Sequence, residues 1–168
     1  MTLNLMLEQL LGLLRRETEL YQSLLAVIDR EKAAAVRAEL TALNEAALEK
    51  EKIMAALRES DAERHRLVTR LAEDLKYPLQ ELTLKKLSQL VDEPFAGRLR
   101  RASTNLSSVV ARVREANQLA KQLFEHSQSL LRSAFNVLNE LLSPNTVYYS
   151  SGNIRSSNST GKCVCSDV

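Results

Sequence analysis

His65, in ERHRL, and His126, in FEHSQ, are the only two histidines of the 168-residue chain. Each has the chemistry of a general base or a metal ligand, provided that a partner orients it. No such partner stands beside either one. His65 reads as a surface residue and His126 as one at the edge of a helical bundle. Cys163 and Cys165, in GKCVCSDV, have a C-x-C spacing that can ligate metal or cycle between redox states. No histidine or acidic cluster completes a site around them, and two cysteines make no disulfide framework. Phosphate-binding loops, nucleophile elbows and paired metal motifs are absent from the sequence. The carboxylates are spaced to pair with basic residues, as Glu49 is with Lys52. The expectation is therefore no catalytic residue, no metal, no cofactor and no enzyme.

What remains is surface. The stretch QSLLRSAFNVLNELL, residues 128–142, carries two apolar stripes at helical spacing. Leu130, Ala134, Val137 and Leu141 form one; Leu131, Phe135, Leu138 and Leu142 form the other. One stripe docks a helix on its own bundle, and the second needs another cover. Extended backwards, the second line steps by sevens through Val110, Asn117, Phe124, Leu131 and Leu138. Burying a Leu or Phe stabilises by about 1.5–3 kcal/mol. Two readings follow: the face is filled by the chain's own helices, or it is a groove for an amphipathic helix of another protein. The anchors of such a groove would be Phe124, Leu131, Phe135, Leu138 and Leu142.

Composition narrows the architecture that must hold this face. Four Gly, three Pro, no Trp and 4% aromatic residues describe long helices packed along Leu- and Ala-rich seams. A net charge of +2 does not demand a polyanionic partner. The basic cluster Arg98, Arg100 and Arg101 lacks interleaved aromatics, so no nucleic-acid partner is expected. No apolar run approaches the ~20 residues of a membrane span. The N-terminus, MTLNLMLEQLLGLLRR, reads as an amphipathic helix rather than a signal peptide, which makes a cytoplasmic location the expectation.

Neither Gly nor Pro occurs from Leu13 through Tyr77, or from Arg98 through Ser143. The first seam runs Leu3, Leu7, Leu10, Leu14, Glu17, Tyr21, Leu24, Ile28, with Glu17 its one break. A second runs Leu40, Leu43, Ala47, Lys50, Met54, Leu57, Asp61, Arg64, Val68, Leu71, Leu75, with three polar members. Ser60-Asp-Ala-Glu63 is a capping-box pattern and predicts a kink or restart there. A turn is required within Glu31–Glu39, although no Gly or Pro marks it. Pro78 ends the second helix, and Asp92-Glu93-Pro94 opens the last one. Its seam runs Leu99, Ala102, Leu106, Val109, Val113, Ala116, Ala120, Leu123, Ser127, Leu130, Ala134, Val137, Leu141.

The expected fold is all-α: an elongated antiparallel bundle of three long helices, a helical hairpin plus a long third helix, with a short connecting helix. The expected boundaries are a bundle over 1–143, with helices at about 3–33, 38–76, 80–91 and 94–143, and a flexible tail over 144–168. The 46 residues from Arg98 to Ser143 would span ~70 Å. The first helix is shorter, so part of the third should lack a neighbour.

Two segments in this order, ETELYQSLLAVIDREKAA (17–34) and LTALNEAALEKEKIMAAL (40–57), resemble the FlgN family of flagellar export chaperones. Glu17, Leu20, Tyr21, Leu24, Leu25, Glu31, Lys32 and Ala33 match E-x-x-L-Y-x-x-L-L…E-K-x-A. Leu40, Leu43, Lys50, Glu51 and Leu57 match the second pattern. A long third helix carrying Asn117 and the segment Tyr148-Tyr-Ser-Ser-Gly152 also fit. The family often begins its second helix with Asp, where this chain has Arg37-Ala38-Glu39. The resemblance implies a cytosolic chaperone for the C-terminal amphipathic helices of the hook–filament junction proteins, FlgK and FlgL. It implies delivery to the flagellar type III export gate, with Tyr148, beside Tyr149, contacting the cytosolic domain of the gate protein FlhA. The substrate surface of the family lies toward the C-terminal helix. A monomer or weak dimer is expected, without stable membrane insertion. The competing reading is a self-associating structural coiled coil; a membrane-surface role is disfavoured by the mixed charges Glu125, Arg132 and Glu140 beside the stripes.

Overall fold

The structure, a computed structural model, describes residues 3–142. Its elements are α1 (Leu3–Val36), α2 (Leu40–Asp74), a single 3₁₀ turn (Leu79–Glu81), α3 (Leu84–Leu90) and α4 (Phe95–Leu142). The class is all-α, with no strand among the described residues. The chain divides into two units, Met1–Lys121 and Gln122–Val168, each considered by itself.

In the first unit, α1 and α2 form an antiparallel hairpin. Near the turn, Arg30 Nη2 donates to Glu49 Oε2 at 2.6 Å and Lys50 Nζ to Glu31 Oε2 at 2.8 Å. Farther along, Arg64 Nε donates to Glu17 Oε1 at 3.0 Å. The turn needs no glycine because Ala38 takes the left-handed conformation at φ 55. Glu39 N donates to Ala34 O at 3.0 Å and Ala38 N to Ala35 O at 3.1 Å, which closes a Schellman motif. α2 ends in the same way. Lys76 sits at φ 51, with Tyr77 N donating to Ala72 O at 2.9 Å and Lys76 N to Glu73 O at 3.1 Å.

The polar breaks in the two seams meet each other. Glu17 is 4% exposed and accepts from Arg64 and from Ser60 Oγ at 3.4 Å. Ser60 is fully buried, and α2 runs through it without the predicted kink or restart. Its hydroxyl points across the seam to Glu17 rather than back along its own helix as a cap. Burial works against the Arg64 charge, but the attraction of Glu17, with Asp61 also bonded to the guanidinium, raises its pKa above the usual arginine value.

The α2 seam also differs in phase from the expected one. Its members are Ala46, Lys50, Ile53, Leu57, Ser60, Arg64, Leu67 and Leu71, in steps of four and three. Lys50, Leu57, Arg64 and Leu71 belong to both lines. Met54, expected inside, is 39% exposed, whereas Ala46 and Leu67 are buried. Apolar residues occupy both adjacent lines at 46/47, 53/54 and 67/68, so periodicity alone does not choose between them.

Residues 75–94 close the open end of the hairpin. The expected helix over 80–91 is split: the 3₁₀ turn stops at Glu81, and Thr83 then caps α3 by accepting from Lys86 N at 3.1 Å. Leu82 and Leu87 join Leu7, Leu10, Leu14, Leu67, Leu71 and Leu99 in one apolar core. α4 begins beside α1. Arg98 forms a forked pair with Glu8, with Nη2–Oε2 at 2.8 Å. The Arg98 bond holds the Glu8 carboxyl below the usual glutamate range. Glu93 accepts from Gly97 N at 3.0 Å, and a Cβ on residue 97 would lie 2.9 Å from that carboxylate oxygen, so a larger residue here would displace the Glu93 carboxylate. Leu14 and Ala102, then Gln22 and Asn105, line one groove, so the start of α4 runs in the same direction as α1. Along it Leu99, Val109, Val113, Ala116 and Ala120 are buried, following the expected seam.

Candidate functional site

The second unit is described over residues 122–142, all of it α4. No Gly or Pro interrupts this stretch, and Ser127 Oγ donates back to Leu123 O at 2.9 Å, a bond compatible with a continuing helix. The stretch from Phe124 to Leu142 is ~27 Å long at the α-helical rise.

Its apolar side chains are largely in water. Leu131 is 61% exposed, Phe135 41%, Leu138 44% and Leu142 58%; Phe124 is half-buried. The other stripe is equally open, with Leu130, Val137 and Leu141 all exposed. Both stripes therefore want a cover, where sequence reasoning left only one without. At 100° per residue the two together occupy ~160° of the helix circumference. Half of the large hydrophobic residues that are exposed among the described residues fall within 130–142. A contiguous apolar face of this kind marks an interaction surface.

The arrangement can bind, by burial of Leu and Phe. His65 and His126 are exposed, and the His65 carbonyl accepts from Thr69 Oγ1 at 2.9 Å. No group of His, Cys, Asp and Glu capable of holding a metal occurs among the described residues. No described helix is long and apolar enough to cross a membrane. Tyr148, the tail over 144–168, Cys163 and Cys165 lie outside the described residues.

The polar cluster Glu17, Ser60 and Arg64 was not anticipated as a unit. Its signal was present as two breaks in two seams, at similar distances from the Ala38 turn. The five expected anchors share one helix face, and the cluster belongs to the hairpin.

These features define an all-α protein with one extended apolar helix face in water. The FlgN protein family model matches residues 1–156, and the chain belongs to that family. The family is one of flagellar export chaperones. No curated protein and no solved structure matches the chain.

Proposed function

We propose that this chain is a cytoplasmic export chaperone for hook–filament junction proteins of the FlgK and FlgL type. It binds their C-terminal amphipathic helices on the face formed by Phe124, Leu131, Phe135, Leu138 and Leu142. It then brings them to the flagellar type III export gate, where Tyr148 contacts the cytosolic domain of FlhA. The observation that carries this reading is the exposure of Phe135, Leu138, Leu131 and Leu142 on one helix of a chain belonging to a chaperone family.

The physical role follows from the apolar surface. A secreted subunit's terminal helix has one greasy face and self-associates if left in water. Laying that face along residues 124–142 hides both surfaces at once. Each large side chain buried stabilises the complex by about 1.5–3 kcal/mol before the ordering of the ligand is subtracted. The ligand must fold on binding, which keeps the affinity moderate and the complex releasable.

The test is Phe135→Asp combined with Leu138→Asp, measured by calorimetric titration with a peptide from a junction protein's C-terminus. Binding should be lost, a reduction of at least a hundredfold, while far-ultraviolet circular dichroism stays unchanged. Undiminished binding would refute the site. The same face would also serve a second copy of the chain. Light scattering of the free protein decides that alternative, since a monomer of constant mass over a hundredfold concentration range rules it out.

A further inference from the structure

The face opposite in character to the apolar site is a groove on the α1–α2 hairpin. It measures about 430 Å³ and is lined by Gln9, Gly12, Leu13, Arg16, Glu63, Arg66, Leu67 and Arg70. Three arginines face one glutamate. Arg16 reaches Glu63 only at 3.8 Å, with both side chains about half exposed, and Arg66 and Arg70 make no ion pair among the described residues. Arg66 and Arg70 are four residues apart on α2, so their like charges repel along the helix. Leu13 and the buried Leu67 give the groove an apolar floor.

Gly12 adds an independent observation. It lies inside α1, at the tenth of its 34 residues, where glycine weakens a helix relative to alanine. Packing within the chain does not explain it, because a Cβ at this position would meet nothing within 4 Å. At Gly97, by contrast, a Cβ would meet the Glu93 carboxylate at 2.9 Å. Gly12 instead leaves the α1 backbone bare beside the apolar floor and the three guanidinium groups. A bare backbone patch in a helix groove is where another backbone or a side chain approaches closely.

We infer that this groove is a second docking site, for a glutamate-rich amphipathic helix of another protein. The apolar stripe of the ligand would lie over Leu13 and the Gly12 notch, and its flanking carboxylates would pair with Arg16, Arg66 and Arg70. Arginine suits this task because its planar fork binds carboxylates in bidentate fashion. The inference stands apart from the face at 124–142, which differs in residues, in charge and in the unit that carries it.

The experiment uses the full chain and three labelled amphipathic peptides of about 20 residues, read by fluorescence anisotropy. All three carry the same leucine stripe, flanked by Glu, Gln or Lys. With the face at 124–142 silenced by Phe135→Asp and Leu138→Asp, the Glu peptide should bind at least tenfold more tightly than the Gln peptide, and the Lys peptide not at all. Arg66→Glu with Arg70→Glu should lower Glu-peptide affinity at least tenfold. Gly12→Gln should do the same by filling the notch, with the melting temperature unchanged or raised, which separates blocked docking from lost folding. In that background, equal binding of the three peptides overturns the inference, as does binding indifferent to both groove variants. A dimer abolished by the groove variants would assign the groove to a second copy instead, and capture by vesicles containing 30% phosphatidylglycerol in preference to the Glu peptide would assign it to a lipid surface. Either result ends the proposal.

Discussion

The seam of α4 follows one rhythm throughout, yet its two parts have opposite environments. Over Leu99, Val109, Val113, Ala116 and Ala120 it is buried; over Leu130, Val137 and Leu141 it is exposed. The apolar residues of the second part are larger on average, so their hydrophobic driving force is greater and not smaller. Periodicity thus names a face without naming what covers it. In the first part the side chains are buried, Leu99 within the main apolar cluster, and in the second they stand exposed.

The largest expected effect separates these two environments directly. Leu10 is fully buried and packs in the main apolar cluster, whereas Leu138 is 44% exposed. Leu10→Ala should destabilise the fold by about 2–5 kcal/mol, through lost transfer energy plus a residual cavity. Leu138→Ala should change stability by less than about 0.5 kcal/mol, as surface substitutions do. Urea denaturation followed by circular dichroism measures both. Comparable losses at the two positions would mean that residues 122–142 belong to the folding core after all.

The buried polar cluster supplies the second test. Removing the Arg64 side chain leaves the Glu17 carboxylate buried without its charged partner. Breaking such a pair costs about 3–5 kcal/mol, and the 32% exposure of the Arg64 side chain puts the expectation for Arg64→Met at the lower end, about 3 kcal/mol. Glu17→Leu together with Arg64→Met should recover most of that loss, because the charge that needed a partner is gone. A double-mutant cycle with a coupling below about 0.5 kcal/mol would contradict the assignment. Glu31, whose side chain is 12% exposed, and Lys50 repeat the arrangement nearer the turn. Two such pairs reject a one-heptad slip of the hairpin, which would set charges against leucines.

How far these features can be read from the residues depends on how many alternatives each pattern leaves. The all-α class was readable because long stretches lack Gly and Pro and keep a strict rhythm of threes and fours. The α2 phase was not, because apolar residues flank the seam on both sides and only the partner helix selects one line. The cross-seam pairing of Glu17 with Arg64 needed the exact turn, and the turn carries no marker in its residues. At the candidate site the common face of Phe124, Leu131, Phe135, Leu138 and Leu142 could be read from spacing, but the exposure of the companion line, Leu130, Val137 and Leu141, could not. Spacing holds no record of where a neighbouring helix stops.

The unmarked turn leads to the smallest expected effect. Ala38 holds φ 55, a conformation in which its Cβ crowds the following carbonyl at a cost of roughly 1–2 kcal/mol. Glycine relieves that crowding but gains freedom in the unfolded chain, which returns part of the benefit. Ala38→Gly should therefore stabilise the hairpin by a net amount of about 0.5–1 kcal/mol, seen as a raised melting temperature. Because the turn belongs to the first unit, the peptide binding proposed for residues 124–142 should not change. A gain in stability without a gain in affinity would show that the hairpin scaffold and the apolar face are energetically separable. A parallel change in both would show that they are coupled, and the contrast between the two parts of α4 would then be one of accessibility alone.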